Sequence, residues 1–162
     1  MIDSRELRNA FGHFGTGVAV ITVANGDNSA LGLTVNSFAS VSLDPPMLSW
    51  CLGKQSDLAE IFSTAENFTV NILAADQRAL SDEMARPGGH ALGQGQFTIG
   101  KTGGILLNGA LAQFECHLHQ RVEAGDHIIL IGGIDAVSHC SKSRAPLIYF
   151  RGSYSGLKED TA

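Results

Sequence analysis

Residues 32–46, GLTVNSFASVSLDPP, continued by 47–56, MLSWCLGKQS, decide how this chain is read. β-Forming residues are interleaved there with small hydroxyl and amide side chains, and 30–43 and 47–52 read as strands. Asp44-Pro45-Pro46 between them forbids helix and forces an extended turn. A barrel strand with one face in water accounts for part of the pattern. Val35, Phe38 and Val41 break strict alternation, however, and Asn36-Ser37 interrupts the strand with turn-prone residues. Conflict of this kind between local pattern and scaffold is expected at a binding site. The polar density suits a backbone that closely approaches a flat, polar, phosphorylated ligand. The Lys54 ammonium and the Ser56 hydroxyl, near a helix start, favour a phosphate, whereas Asp57 repels one unless it turns outward to cap.

Outward from this stretch the chain reads as more strand than helix. Ser4–Phe14 has Leu7, Ala10, Phe11 and Phe14 at helical spacing, with Ser4 as N-cap, and Gly15–Gly17 ends it. Val18–Val23 is a continuous apolar strand bounded by the turn signal Asn25-Gly26. Asp57–Ala65 reads as a short helix striped by Leu58, Ile61, Phe62 and Ala65, with Asp57 and Glu60 at capping-box spacing. Phe68–Leu73 is a strand and Gln77–Ala85 a helix; 86–104 is an irregular excursion. Ala110–Glu123, His127–Val137 and Leu147–Tyr154 complete the β content. Short strands at roughly 10-residue spacing, without regular βαβ alternation, predict a mainly β chain: a barrel with short peripheral helices.

Composition bounds the function. A length of 162 residues predicts one domain over 1–162, with enough chain for a sizeable core. A net charge of −5 gives no case for nucleic acid or an anionic membrane as partner. No run approaches the ~18 apolar residues of a spanning helix, and MIDSRELRNAF lacks the apolar core of a signal peptide. Cys51, Cys116 and Cys140 are odd in number and form no CxxC, which predicts free thiols in a reducing, cytoplasmic setting.

Several motifs are weighed and set aside. Gly95–Thr102, GQFTIGKT, matches the phosphate-loop pattern letter for letter, but ARPGGHALGQ before it and GGILLNG after it supply neither the strand nor the helix that chemistry needs. A surface loop is the reading. No GxGxxG or GxSxG occurs. Cys116, His117 and His119 alternate across a strand, so they do not converge on a metal, and no metal site is predicted. On its own residues His127, following Gly125-Asp126, reads as a turn histidine bonded to Asp126. Glu115 and Asp126 offer an acid/base pair that hydride chemistry does not need.

Ordered blocks then carry a resemblance: 15–22 GTGVAVIT, 32–46, 67–73 NFTVNIL, 109–116 GALAQFEC, 125–132 GDHIILIG and 146–154 PLIYFRGSY. Over roughly residues 7–157 the chain resembles the short-chain flavin reductases, the NAD(P)H-dependent partners that feed reduced flavin to two-component monooxygenases. The resemblance implies an FMN-binding split β-barrel, homodimeric, with one flavin per subunit near the dimer interface. It implies that Thr34, Val35, Asn36, Ser37, Ser40 and Val41 line the isoalloxazine and ribityl chain. Gly53, Lys54 and Ser56 then hold the phosphate, His127 stands beside the nicotinamide, and Arg151 and Tyr154 lie close to the pocket. The implied cofactors are FMN or FAD, with NADH or NADPH as hydride donor; no residue is an obligatory proton donor. A separate monooxygenase is the implied partner. The chain departs from the family pattern at 86–100, with Gly88-Gly89-His90 and Gly93-Gln94-Gly95, and at 103–108. Those departures leave a second reading: a flavin store, sensor or electron carrier without nicotinamide turnover.

Overall fold

The computed structural model describes residues 2–26, 29–141 and 143–157. Helix α1 (Ser4–Phe11) starts where the Asp3 carboxylate accepts the Arg5 amide, so Asp3 and not Ser4 is the cap. It ends at Gly12, short of the expected Phe14, and its apolar stripe finds no cover among the described residues: Phe11 is 70% exposed, and Phe14 just beyond the helix 78%. Strands β1 (Thr16–Gly17), β2 (Ala19–Ala24), β3 (Ala30–Val35), β4 (Ala39–Leu43) and β5 (Pro46–Gly53) follow. The break at Asn36-Ser37 separates β3 from β4, and Asp44-Pro45 forms the two-residue link of the β4–β5 hairpin, in which Leu43 pairs with Pro46.

After these come α2 (Ala59–Thr64), β6 (Asn67–Ile72), a 3₁₀ turn (Ala75–Gln77) and α3 (Arg78–Met84). Strands β7 (Ala91–Leu92), β8 (Phe97–Ile99), β9 (Ile105–Leu107), β10 (Ala112–Ala124), β11 (His127–His139), β12 (Ile148–Phe150) and β13 (Ser153–Ser155) complete the chain. Three expectations are corrected. Helix α2 is shorter than Asp57–Ala65, because Asp57 does not cap it; the Ser56 hydroxyl instead accepts the Leu58 amide at 3.2 Å. The excursion 86–104 holds β7 and β8: β7 pairs with the distant β3, and β8 with its sequence neighbour β9 across the Gly100–Gly104 turn. Leu147–Tyr154 is a hairpin, reversed where Arg151 and Gly152 take positive φ (50° and 76°).

An eight-stranded antiparallel sheet runs in the order β4-β5-β11-β10-β6-β2-β3-β7. It curls around one core, in which Ile21, Trp50, Leu52, Phe68, Val70 and Leu130 meet. Trp50 lies edge-on to Phe62 of α2 and to Phe68, with ring centroids 5.5 and 5.7 Å away. The outward residues Val18 and Val20 enter a second core with Met84, Leu107 and Leu147. Burial on both faces is why the β2 region reads as an unbroken apolar run. β3 and β5 share no ladder; this is the split of a split β-barrel. Ser37 spans it, its Oγ accepting the Cys51 amide at 2.9 Å.

Gly132 lets β11 cross the core. A Cβ there would sit 2.6 Å from Phe68 Cζ and 3.1 Å from Cys116 Cβ, both on buried residues. Gly132→Ala is therefore expected to cost about 1–3 kcal/mol, measured as a lowered urea midpoint; an unchanged midpoint would show that the ring can retreat.

Candidate functional site

Past the end of β3 the polar ribbon leaves the sheet and becomes one wall of a groove. The Thr34 hydroxyl donates to the Ser81 carbonyl of α3 at 2.8 Å, and the Ser81 hydroxyl meets the Tyr154 hydroxyl at 2.8 Å. Burial raises the Tyr154 phenol above its ordinary range, so it remains a neutral hydrogen-bonding group. Arg78 lies 5.0 Å over the Tyr154 ring. Thr34, Val35, Asn36, Tyr149 and Tyr154 line a cleft of about 230 Å³. A second cleft, of about 290 Å³, shares Val18 and Asn36 with the first and is lined by Thr16, Phe38, Ile72 and Phe114. Phe38 stacks on Phe114 at 5.9 Å, giving that cleft a flat aromatic wall. Thr16 Oγ1 is buried there without a hydrogen-bond partner among the described residues. An unspent buried hydroxyl beside a flat apolar wall fits a planar ligand with polar edges.

The other half of the candidate site lies where β5 ends, its residues outside the lining of both clefts. Gly53 pairs with His127, and the imidazole lies against it: a Cβ at Gly53 would meet His127 Nε2 at 3.6 Å, an ordinary contact. The Lys54 amide donates to the Asp126 carbonyl and Lys54 Nζ to the Gly125 carbonyl, each at 2.9 Å; the ammonium also pairs with Glu123. His127 Nδ1 is 2.8 Å from Asp126 Oδ1, the turn contact its position predicts. That hydrogen bond, then the charge of the ring, holds the Asp126 carboxyl below the usual carboxylate range. Two interlocked turns thus carry Gly53, Lys54, Ser56 and His127.

Two links bring the halves together. Ser37 on Cys51 is one. The other runs through residues the sequence left unassigned. The Gly32 amide donates to the His90 carbonyl at 2.8 Å, His90 Nδ1 lies 3.0 Å from the Gly32 carbonyl, and His90 Nε2 lies 2.8 Å from Asp57 Oδ1. Asp57 Oδ2 accepts the Gly88 amide at 2.8 Å. The only sequence signal for His90 is its place in Gly88-Gly89-His90, where the chain departs from the family pattern.

Residues 11–158 match the family described as flavin reductase like domain. The chain belongs to this family. It is 43% identical over 150 residues to the reductase component of a flavin-dependent trigonelline monooxygenase from Acinetobacter baylyi, covering 93% of the chain but 48% of that protein. It thus spans about half that relative's length. It is 40% identical to an FMN reductase (NADH), SmoA, of Agrobacterium fabrum, covering 94% of the chain and 85% of that protein. Among solved structures it matches the NADH:FAD oxidoreductase SgcE6 of Streptomyces globisporus, in complex with NAD and FAD fragments. That match has a TM-score of 0.87 and 31% identity over 100% of this chain and 99% of that one.

Not every candidate of this flavin reductase-like chain joins the groove. Ser40 and Val41 lie exposed on the edge strand β4, Ser40 paired with Leu48. Arg151 sits at the β12–β13 turn, its amide on the Gly12 carbonyl and its guanidinium beside His13 and over Phe150. The phosphate-loop look-alike is filled from within. Its amides at Lys101 and Thr102, with that of Gly104, donate to the carboxylate of Glu115. Glu115 is thereby unavailable as an acid or base. His117 bonds Asp135, and no group of three metal-binding side chains occurs among the described residues. All three cysteines are free, and burial pushes the Cys116 thiol up to about 12, which leaves it inert.

Proposed function

We propose that the chain is an NAD(P)H:flavin oxidoreductase that reduces FMN or FAD and supplies the reduced flavin to a separate monooxygenase. The relatives' names, reductase components and NADH-dependent flavin reductases, support this reading. The observation that carries it is the pair of interlocked turns that sets His127 and Lys54 together past the end of β5, the strand that Ser37 of the polar ribbon grips at Cys51. When bound, the reduced nicotinamide supplies a hydride from C4 for the flavin N5; the protein binds and orients the two. Lys54 and Ser56 hold the phosphate, Thr34 and Asn36 meet the polar ring edge and ribityl chain, and His127 orients the nicotinamide. The pairing of Lys54 with Glu123 does not obstruct this. Exposed ion pairs are worth only ~0.2–1 kcal/mol, so a phosphate dianion displaces Glu123 readily.

We further read the chain as a homodimer, since Phe11, Phe14, Val41 and Leu43 leave apolar surface uncovered, Leu43 being 96% exposed. No helix among the described residues is long and apolar enough to cross a membrane, and the free thiols support a cytoplasmic setting.

Purified protein mixed with FMN or FAD and with NADH or NADPH is expected to oxidise the nucleotide in a flavin-dependent way, followed at the nicotinamide absorbance band. No flavin-dependent oxidation in any of the four combinations overturns the proposal. Tight flavin binding without oxidation establishes the store, sensor or carrier reading instead.

A further inference from the structure

We propose that His90 is a positioning residue that neutralises and restrains Asp57, so that a phosphate can dock on Lys54 and Ser56. This rests on the reading that those two residues hold the flavin phosphate. The difficulty it resolves is visible in the sequence: a carboxylate follows directly on the hydroxyl that must receive a dianion. In the structure both carboxylate oxygens are engaged by residues 88 and 90, from the excursion that departs from the family pattern.

His90 is suited to this task. Its ring is buried, with the side chain only 6% exposed, whereas that of Asp57 is 43% exposed. Nδ1 faces a carbonyl oxygen and must therefore carry a proton. Nε2 faces a carboxylate oxygen, and with Asp57 ionised it carries a proton too. The geometry therefore matches an imidazolium against the Asp57 carboxylate, with no net charge presented to an arriving phosphate. The Gly88 amide, then His90, keep the Asp57 carboxyl below its usual range. Gly89 fixes the loop that delivers these donors, since a Cβ there would lie 2.5 Å from the Glu83 carbonyl oxygen.

The same ring joins two segments that have no ladder between them. Through Gly32 it grips β3, and through Asp57 it grips the turn that follows β5. Those are the two segments that must close on a single flavin. His90 touches neither cofactor in this account; it acts through Asp57.

The test compares FMN with riboflavin, which lacks the phosphate, as substrates of the full chain. His90→Gln is expected to raise the FMN KM roughly tenfold by freeing the Asp57 charge, and to move the riboflavin KM far less. Adding Asp57→Asn to His90→Gln is expected to restore most of the FMN KM, because the liberated charge is gone. Equal losses on both flavins, with no rescue by the second substitution, overturn the proposal and leave His90 a merely structural residue. Should His90→Gln fail to fold, Asp57→Asn alone decides: a lowered or unchanged FMN KM supports the proposal, and a KM raised for FMN alone overturns it. Lys54→Ala in the same assay isolates the underlying reading. If it does not discriminate FMN from riboflavin, the phosphate is held elsewhere, and that failure is separate from any behaviour of His90.

Discussion

Replacing Glu115 with alanine is expected to cost about 3–5 kcal/mol of folding stability, on the order of 10 °C in Tm for a chain of this size. The side chain belongs to a residue only 4% exposed. Its carboxylate accepts the Lys101 amide at 2.9 Å, the Thr102 amide at 2.7 Å, the Thr102 hydroxyl at 2.6 Å and the Gly104 amide at 3.1 Å. Alanine would strand all four donors. The loop is shaped around the carboxylate: a Cβ at Gly104 would lie 2.7 Å from Glu115 Cγ, and one at Gly100 would collide with the carboxyl group.

The pH dependence has a definite sign. Burial pushes the Glu115 carboxyl up, but the Thr102 hydroxyl and the amides of Thr102, Gly104 and Lys101 outweigh it and hold it below its ordinary value of 4.5. A carboxyl depressed on folding contributes stability that is fully present above the unfolded value and is lost as pH falls through the folded one. Urea melts of the wild type should therefore weaken steadily with acidification below about pH 4.5, and Glu115→Gln should lack that part of the slope. An alanine variant melting within about a degree of wild type would mean that the loop re-forms on water, and the anchoring role would be lost.

What could be read before the fold was known depended on the range of the interaction. The strand runs, the Asp44-Pro45 turn and the break at Asn36-Ser37 are written in adjacent residues, and they stand where local propensity puts them. The uncovered face of α1 was not legible, since periodicity announces an apolar stripe but not whether the same chain covers it. The β12–β13 reversal was missed because Arg151 occupies a positive-φ position with no Asn-Gly or Asp-Gly signal beside it. Strand β7 exists only through the distant β3, so no propensity within 86–104 reports it, whereas β8 is one arm of a short hairpin whose other arm, β9, begins just past that stretch. The same holds in the site. Local spacing suggested that Asp57 caps a helix with Glu60, but donors at 88 and 90 outcompete that arrangement. The phosphate-loop letters were rightly dismissed for lack of a helix, yet nothing local named Glu115 as the group that fills the nest. The role proposed for Lys54 was readable from its charge beside Ser56 and that for His127 from the order of blocks along the chain; their physical coupling came only from the structure.

That coupling yields the largest expected effect on activity. Lys54→Ala is expected to raise the flavin KM about tenfold or more, since a lost charged hydrogen bond costs ~1–3 kcal/mol and each ~1.4 kcal/mol is a factor of ten. It should also raise the nicotinamide KM by a smaller factor, because Lys54 Nζ ties down the Gly125 carbonyl in the turn that presents His127. His127→Ala should raise the nicotinamide KM and leave the flavin KM nearly unmoved, since among the described residues the imidazole's hydrogen bond is to Asp126, and the backbone pairing of His127 with Gly53 survives the substitution. The double variant should then show less than the summed loss in nicotinamide KM, the signature of residues that share one turn. Lys54→Arg retains the charge and should recover much of the flavin affinity. Added salt should raise the wild-type flavin KM, since the ammonium is partly exposed and its attraction for phosphate is screened. Glu123→Gln provides the opposite sign: with the competing carboxylate gone, the flavin KM should fall slightly. A flavin KM unchanged by Lys54→Ala would overturn its assignment to the phosphate, and one raised by His127→Ala and not by Lys54→Ala would reverse the two roles.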